Sequence, residues 1–495
     1  MFYLEEVKNT MKKKSTIINA IAMFIGTGLN ILISLISTPI ITRLVSPTAY
    51  GQWSLFTTYS TVGMAVIMLG LDQAFVRFYY NDNSLEFKRY LTFTAVKIPI
   101  SIGLISIILT VPFIRKTGLF ESENWTIYIL LYINVILLIM NRISHLVLRM
   151  EQKGIAYSSL LVINKVIFII STFVMICSRR INHAIALTAA TVIAQLIVTV
   201  AGIVMGRNNW RFFPKKPSKC KVNMRSLIIY GLPFIYTMLA TDIFNATDKW
   251  AINAIKTSYE VGIYAAASNI VAICSVIKTT FDLLWAPAAM KHYEQEPENT
   301  GFYTKINGCI TVVMYIISIV VICFKDIIVL FLGENYRIAI TIVPLLLFNP
   351  IMTTVSETTV YGLNFKKKTG YHIIITTVSC IVNILLNVVL IPIYSAEGAA
   401  LATAISYIVF FIMRTIMGIK AYPANFNLGK FFVVTILFFI IAFLNTFFNV
   451  VVIINIIFMI IFVTILIALY KEYVYIMIET FKNQIIKIYK RERRI

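Results

Sequence analysis

Charged side chains within otherwise apolar stretches are the residues of this sequence that could do chemistry. The basic ones are Lys97, Arg142, Lys165, Lys278, Arg77 and Lys249, and the acidic ones are Asp72, Asp242, Asp248, Asp282 and Glu357. Placing a charge at the centre of a bilayer costs roughly 2.5 kcal/mol or more, so such a residue usually has a partner or a function. If Lys97, Arg142, Lys165 and Lys278 converge, they form a cationic cavity suited to a phosphate or pyrophosphate group.

Lys165 is the strongest of these candidates for contact with an anion. It lies ten residues into an apolar stretch, about 15 Å at 1.5 Å per residue and therefore near the bilayer midplane. It has no acidic neighbour in the sequence, and the alternative is an ion pair with a carboxylate on another helix. Lys278 and Asp282 could instead pair with each other, because they are four residues apart on one helix.

The remaining charges also have ordinary interpretations beside the functional one. Asp248 and Lys249 are adjacent and could form a local ion pair, whereas Arg77 could be an anchor that reaches the membrane surface. The acidic residues Asp72, Asp242, Asp248, Asp282 and Glu357 are the candidates to carry a coupling proton or sodium ion, because they are carboxylates at bilayer depth.

The composition defines the elements that must position these charges. The chain has 495 residues, of which 59% are hydrophobic and 13% charged, against about 45–50% and 25% in soluble domains. This excludes a water-soluble enzyme, a disordered chain and a nucleic-acid-binding module. We predict an all-α, polytopic membrane protein with about fourteen transmembrane helices. The predicted spans are residues 16–38, 51–76, 90–113, 125–147, 155–177, 182–206, 226–247, 261–285, 306–324, 338–361, 371–393, 398–418, 431–448 and 451–470.

The distribution of basic residues predicts how the chain crosses the membrane. The net charge is +22, and most of the 44 Lys and Arg residues fall in alternate loops. Such residues collect on the cytoplasmic side, so we expect both termini in the cytoplasm. No nucleic-acid partner is expected, since the basic residues follow topology rather than forming one patch.

An internal repeat predicts the domain organisation. Gly51 and Gly262 open the second and eighth spans, and Asp72 and Asp282 follow them at nearly equal distances. Two parallel six-helix halves would place the substrate path between them. The predicted domains are residues 1–206 for the N-terminal half, 207–225 for a basic cytoplasmic linker, 226–420 for the C-terminal half, and 430–495 for two extra spans with a basic tail.

Other chemistry is absent from the sequence. The six cysteines and four histidines show no metal-binding spacing, and no phosphate-binding loop of the Walker type occurs. We therefore expect no catalytic residue, no metal and no cofactor, and a protein that is not an enzyme.

Several short motifs occur in a fixed order along both halves of the chain. In the first half these are Thr42-Arg43-Leu44-Val45-Ser46-Pro47, Tyr50-Gly51 and Leu69-Gly70-Leu71-Asp72 with Ala74, Arg77, Phe78 and Tyr79. In the second half they are Asp248-Lys249, Val261-Gly262-Ile263-Tyr264, Asn383, Asn387, Ile391-Pro392 with Tyr394, and Glu397-Gly398-Ala399-Ala400. Together these motifs make the chain resemble the polysaccharide-synthesis (Wzx-type) flippases of the multidrug/oligosaccharidyl-lipid/polysaccharide exporter superfamily. One departure is Ser395, which stands where that family usually has glycine after the tyrosine.

The resemblance implies a flippase. Such proteins move an undecaprenyl-pyrophosphate-linked oligosaccharide across the bacterial cytoplasmic (inner) membrane by alternating access, coupled to protons or sodium, for O-antigen or capsule synthesis. The expected partners are that lipid-linked substrate, the bilayer and other polysaccharide assembly proteins. Two alternatives stay open: a drug/cation antiporter of the related fold, whose midplane should be mainly acidic, and a membrane polysaccharide polymerase, which should have a large outer loop.

Overall fold

The computed structural model is built from long helices. It describes residues 19, 26, 28–30, 32–114, 118–120, 125–178, 181–215, 217, 222–448 and 450–492, and no strand occurs within these ranges. The first predicted span, residues 16–38, therefore lies partly outside the described residues.

The described residues form sixteen α-helices. They are α1 Gly28–Leu44, α2 Pro47–Met68, α3 Leu71–Phe78, α4 Leu85–Ile114, α5 Trp125–Met150, α6 Gly154–Cys177, α7 His183–Met205, α8 Met224–Ile255, α9 Ser258–Gln295, α10 Gly301–Cys323, α11 Lys325–Val329, α12 Ala339–Leu346, α13 Phe348–Phe365, α14 Gly370–Ala421, α15 Leu428–Phe447 and α16 Val452–Glu492. Short 3₁₀ turns at Arg207–Asn209 and Glu334–Tyr336 complete the described helical structure.

The helices confirm the predicted all-α, multi-pass membrane fold. In the described part of the chain, eleven helices are long and apolar enough to cross a membrane, and a twelfth crossing is counted if α2 and α3 form one bent span. The 52-residue α14 alone covers two of the predicted spans. The count of fourteen spans and the placement of both termini in the cytoplasm stay predictions.

A bend of 55° between α2 and α3 positions Asp72. Leu69 and Gly70 both adopt positive φ there, at 50° and 66°. A Cβ on Gly70 would lie 2.3 Å from the carbonyl oxygen of Gly231 on α8, so glycine is required for both the turn and the close packing. The bend starts α3 at Leu71 and places Asp72 in its first turn, where the side chain is buried.

A second break, at Ser395, divides α14. This residue has φ 51° and ψ −129°, which is a non-helical conformation. Residues other than glycine rarely adopt it. It is the position at which the resembled family usually has glycine, and the backbone explains that preference. The departure noticed in the sequence therefore falls at a strained turn.

The chain forms two compact units, residues 1–266 and 267–495. The core of the first includes Phe75, Leu91 and Ile143, and that of the second includes Trp285, Tyr303 and Val360. The domain boundaries predicted from the linker and the repeat stay predictions.

The repeat-related glycines meet within the first unit. A Cβ on Gly51 would lie 1.8 Å from the carbonyl oxygen of Ser258, and a Cβ on Gly262 would lie 1.9 Å from that of Pro47. The first turns of α2 and α9 therefore pack backbone against backbone. Only glycine permits this approach, which explains the glycine at both positions.

Candidate functional site

An ion pair between Asp72 and Arg142 joins α3 to α5 in the first unit. The Nη2 of Arg142 donates to Oδ2 of Asp72 at 2.8 Å, and its Nε donates to the same oxygen at 3.2 Å. The backbone N–H of Gln73 donates to Oδ1 of Asp72 at 2.9 Å. The side chain of Asp72 is 4% exposed and that of Arg142 is 43% exposed. The buried carboxylate therefore holds the guanidinium and leaves much of it accessible.

Arg142 has a second carboxylate as its charged neighbour. Asp242, on α8, is half-buried and interacts electrostatically with Arg142. Within the described residues, Asp242 makes neither a hydrogen bond nor an ion pair. The structure therefore brings together three of the residues selected from the sequence, Asp72, Arg142 and Asp242, although they are far apart along the chain.

Lys165 occupies the middle of α6. It lies eleven residues from Gly154 and twelve from Cys177, about 16–18 Å from each end. Its neighbour Asn164 donates to Gln195 of α7 at 3.3 Å, which fixes this part of α6 against α7. Lys165 is half-buried and makes no hydrogen bond or ion pair with any residue that the structure describes. The alternative interpretation, a bridge to a carboxylate on another helix, gains no support from the described residues.

Asp248 and Lys249 lie near the end of α8 and have different partners. The hydroxyl of Tyr264 donates to Oδ2 of Asp248 at 2.5 Å. The Nζ of Lys249 lies 3.4 Å from Oγ1 of Thr58 on α2, a long hydrogen bond. These contacts attach α8 to α9 and to α2.

Lys97 and Arg77 lie on exposed surfaces of the first unit. The Nζ of Lys97 is 5.9 Å from the ring centroid of Phe93 on the same helix, and the guanidinium of Arg77 is 6.0 Å from the ring of Phe78. The anchoring interpretation of Arg77 agrees with its position in the last turn of α3. A common cavity for Lys97, Arg142, Lys165 and Lys278 stays a prediction.

The second unit contains the pair that the spacing suggested. The Nζ of Lys278 lies 2.5 Å from Oδ2 of Asp282, one turn further along α9. Both side chains are about one-third exposed, at 30% and 34%. Lys278 is thus neutralised locally, unlike Lys165.

Sequence reasoning missed Arg414, a nearly buried charge of the second unit. Its Nη1 donates to Oε1 of Glu357 at 2.9 Å and to Oγ of Ser356 at 3.0 Å, which links α14 to α13. Its side chain is 8% exposed and its guanidinium lies 5.1 Å from the ring centroid of Phe410. A signal was present in the sequence, because Arg414 is the lone charge between Gly398 and Ile419.

The two ion pairs of the second unit form one electrostatic network. Glu357 interacts with Lys278 as well as with Arg414, and Asp282 interacts with Arg414 as well as with Lys278. The Nε of Arg414 and Oδ1 of Asp282 are buried and lack a hydrogen-bond partner within the described residues. A buried polar atom without a partner is costly, so both atoms are candidates to bind a water or an ion.

The described residues contain no group of three or more His, Cys, Asp or Glu side chains arranged to hold a metal ion. In the first unit, Arg142 is oriented by the buried Asp72 and has Asp242 as a second acidic neighbour, while Lys165 is uncompensated among the described residues. The arrangement in the second unit pairs two basic with two acidic side chains.

These features define a multi-pass helical membrane protein with charge networks inside its helix bundles. The family model described as "Polysaccharide biosynthesis protein" matches residues 17–284, more than half of the chain. The chain therefore belongs to the polysaccharide biosynthesis protein family, which confirms the resemblance drawn from the motifs.

Relatives and solved structures agree with this assignment. The chain is 23% identical over 420 residues to the lipid II flippase MurJ of Bacillus subtilis, covering 74% of each chain. It is 24% identical over 316 residues to the probable low-salt glycan biosynthesis flippase Agl15 of Haloferax volcanii, covering 63% of this chain and 64% of that protein.

Two solved structures show the same fold. The structure described as lipid II flippase MurJ in an inward closed conformation matches with a TM-score of 0.66 and 17% identity, over 93% of this chain and 99% of that one. The structure described as an inward-facing multidrug resistance MATE family transporter of the MOP superfamily matches with a TM-score of 0.61 and 13% identity. The match covers 79% of this chain and 94% of that one.

Proposed function

We propose that this protein is a flippase that moves a polyprenyl-pyrophosphate-linked oligosaccharide across the bacterial cytoplasmic membrane for surface polysaccharide synthesis. The observation that carries the proposal is the arrangement of cations in the first unit. Arg142 is held by the buried Asp72 yet is 43% exposed, and Lys165 lies mid-helix without a carboxylate partner in the described residues. A pyrophosphate group is the kind of anion that such cations bind.

The relatives support the same class of substrate. The names of MurJ and Agl15 describe a lipid II flippase and a probable glycan biosynthesis flippase. A protein is needed for such transport because sugars and phosphates lose many hydrogen bonds on entering hydrocarbon. Polar and cationic side chains would replace those bonds while the polyprenyl tail stays in lipid.

We further propose alternating access driven by a proton or a sodium ion. The carboxylates best suited to carry it are Asp242, which is unpaired in the described part of the chain, and Asp282, whose Oδ1 lacks a hydrogen bond there. Asp72 and Glu357 serve instead as counter-ions of Arg142 and Arg414. Asp248 is a weaker candidate, since one of its oxygens accepts from Tyr264.

A second candidate function is drug/cation antiport, which the fold similarity to the MATE transporter favours. A cationic drug requires an acidic site, and a lysine at mid-helix depth opposes this. The two functions are therefore separable by the charge of the transported molecule.

The test uses the purified chain in proteoliposomes. A fluorescent undecaprenyl-pyrophosphate glycan should move between leaflets faster than in protein-free liposomes, and ethidium, a drug cation, should not be transported. Imposing ΔpH or a sodium gradient should change the glycan rate. Transport of ethidium without movement of the glycan would replace the flippase proposal by the antiporter, and indifference to both gradients would remove the ion coupling.

A further inference from the structure

An exposed pair of aromatic residues stands in the linker that follows α7. The side chains of Phe212 and Phe213 are 90% and 83% exposed. Two adjacent exposed aromatic side chains form an apolar patch, and such a patch often marks a binding surface. Arg211 and Lys215 flank the pair and are also exposed. Aromatic rings bordered by cations are typical of segments that lie at the surface of an anionic membrane.

The linker is held in place immediately before these residues. The Nε of Arg89 on α4 donates to the carbonyl oxygen of Asn208 at 2.8 Å, and Nδ2 of Asn209 donates to the hydroxyl of Tyr79 at 2.9 Å. Trp210 packs against the core of the first unit. The exposure of Phe212 and Phe213 therefore follows from a fixed position of the preceding backbone.

The position of the pair along α4 gives its depth. The ring of Phe213 lies 5.7 Å from that of Phe93, and Phe93 precedes the end of α4 at Ile114 by 21 residues. That distance is about 31 Å, close to the ~30 Å thickness of the hydrocarbon core. Phe213 therefore lies at one hydrocarbon boundary if α4 spans the bilayer, and the positive-inside distribution predicts the cytoplasmic one.

The backbone of Phe213 adopts an uncommon conformation. Its φ is 51°, which is uncommon for a bulky residue. A strained conformation persists where the surroundings favour it, and here the ring reaches Phe93 at the boundary.

We propose that the linker around Phe212 and Phe213 is a docking surface for anionic phospholipids of the cytoplasmic leaflet. The two rings enter the acyl-chain boundary, and Arg211 and Lys215 bind the lipid phosphates. This surface shares no residue with the charge network of Asp72, Arg142 and Asp242, and it anchors the linker to the membrane whether or not the chain transports a glycan.

The experiment uses the full chain in lipid nanodiscs. A Phe212→Trp variant adds one fluorophore, whose signal is obtained by subtracting the spectrum of the parent chain. Quenching is measured with brominated phosphatidylglycerol and brominated phosphatidylcholine. The proposal predicts quenching of the added tryptophan in both lipids, and at least about twofold more in the anionic one.

Two variants provide the controls. Glu298→Trp places a tryptophan three residues after the end of α9. This helix has 38 residues, about 18 more than the ~20 that a span needs, so its end should lie outside the bilayer. The added tryptophan should therefore be quenched by aqueous acrylamide and not by brominated lipid. Arg211→Gln with Lys215→Gln in the Phe212→Trp chain should abolish the excess quenching by the anionic lipid. Equal quenching by the two lipids, or quenching of the added tryptophan by acrylamide alone, would overturn the proposal.

Discussion

The charge networks of the two units differ in how completely their cations are neutralised. In the second unit, Lys278 and Arg414 each have a carboxylate within 2.9 Å, and Arg414 is almost fully buried. In the first unit, Arg142 is paired with Asp72 and has Asp242 as a second acidic neighbour but is 43% exposed, and Lys165 has no carboxylate partner within the described residues. A network whose cations are all paired maintains helix packing, whereas an uncompensated cation is available to a ligand. We therefore propose that anion binding belongs to the first unit.

The largest effect is expected from breaking the buried pair of the second unit. Arg414→Ala leaves Glu357, whose side chain is 22% exposed, without its hydrogen-bonded counter-ion, so the free energy of unfolding should fall by about 3 kcal/mol, the lower end of the range for a broken buried pair. Thermal unfolding of the purified protein in one detergent measures this change.

The matched control replaces both partners. Glu357→Leu with Arg414→Met removes both charges at similar volume and should recover most of the lost stability, because replacing a buried ion pair by apolar side chains is often neutral. A single variant as stable as the parent chain would show that the pair does not maintain the packing of α13 and α14.

The next effect concerns the uncompensated lysine of the first unit. Lys165→Ala should lower glycan export by about 10–100-fold, because a hydrogen bond to a charged group contributes about 1.5–3 kcal/mol. Surface polysaccharide is measured in cells whose own copy of the gene is replaced by the variant, with protein level measured in parallel. Lys165→Arg keeps the charge and should retain most of the export. Full export with Lys165→Ala would remove this residue from the mechanism.

A smaller effect is expected at the arginine that Asp72 orients. Arg142→Gln removes the charge but leaves Asp72 within reach of the Gln73 amide, and the transport rate in proteoliposomes should fall about tenfold, equivalent to ~1.4 kcal/mol. The control is Arg337→Gln, because Arg337 is exposed and its ion pair in the described structure is with Glu334, three residues earlier. This variant should leave the transport rate unchanged. If both variants transport alike, the exposed guanidinium of Arg142 is not part of the site.

The smallest effect tests the strained turn in the second unit. Ser395→Gly should raise the free energy of unfolding by about 1 kcal/mol, because glycine adopts φ 51° without the steric cost that serine bears. Ser395→Ala, which keeps the Cβ, should give no such gain in the same unfolding measurement. Destabilisation by glycine would mean that the serine side chain contributes more than its backbone costs.

The sequence predicted the elements better than their contacts. Long apolar stretches specify helices directly, and the spacing of Lys278 and Asp282 was enough to suggest their pair because both lie on one helix. The pair of Asp72 and Arg142 joins residues 70 positions apart on different helices, and no local pattern contains that information.

Two further features were only partly visible in the sequence. Arg414 was detectable as a lone charge in an apolar stretch, but its partner Glu357 depends on how α13 packs against α14. Ser395 was noticed as a departure from the resembled family, whereas its positive φ became apparent only in the structure. Side-chain partners across helices depend on helix rotation, which apolar periodicity leaves unspecified when a helix is hydrophobic on all sides.

The most direct measurement of the assignment is the dissociation constant of undecaprenyl pyrophosphate for three forms of the purified protein. The parent chain and the double variant Glu357→Leu with Arg414→Met should bind it alike, and Lys165→Ala should bind it at least about tenfold more weakly. Unchanged binding by Lys165→Ala together with weakened binding by the double variant would contradict the account and transfer the anion site to the second unit.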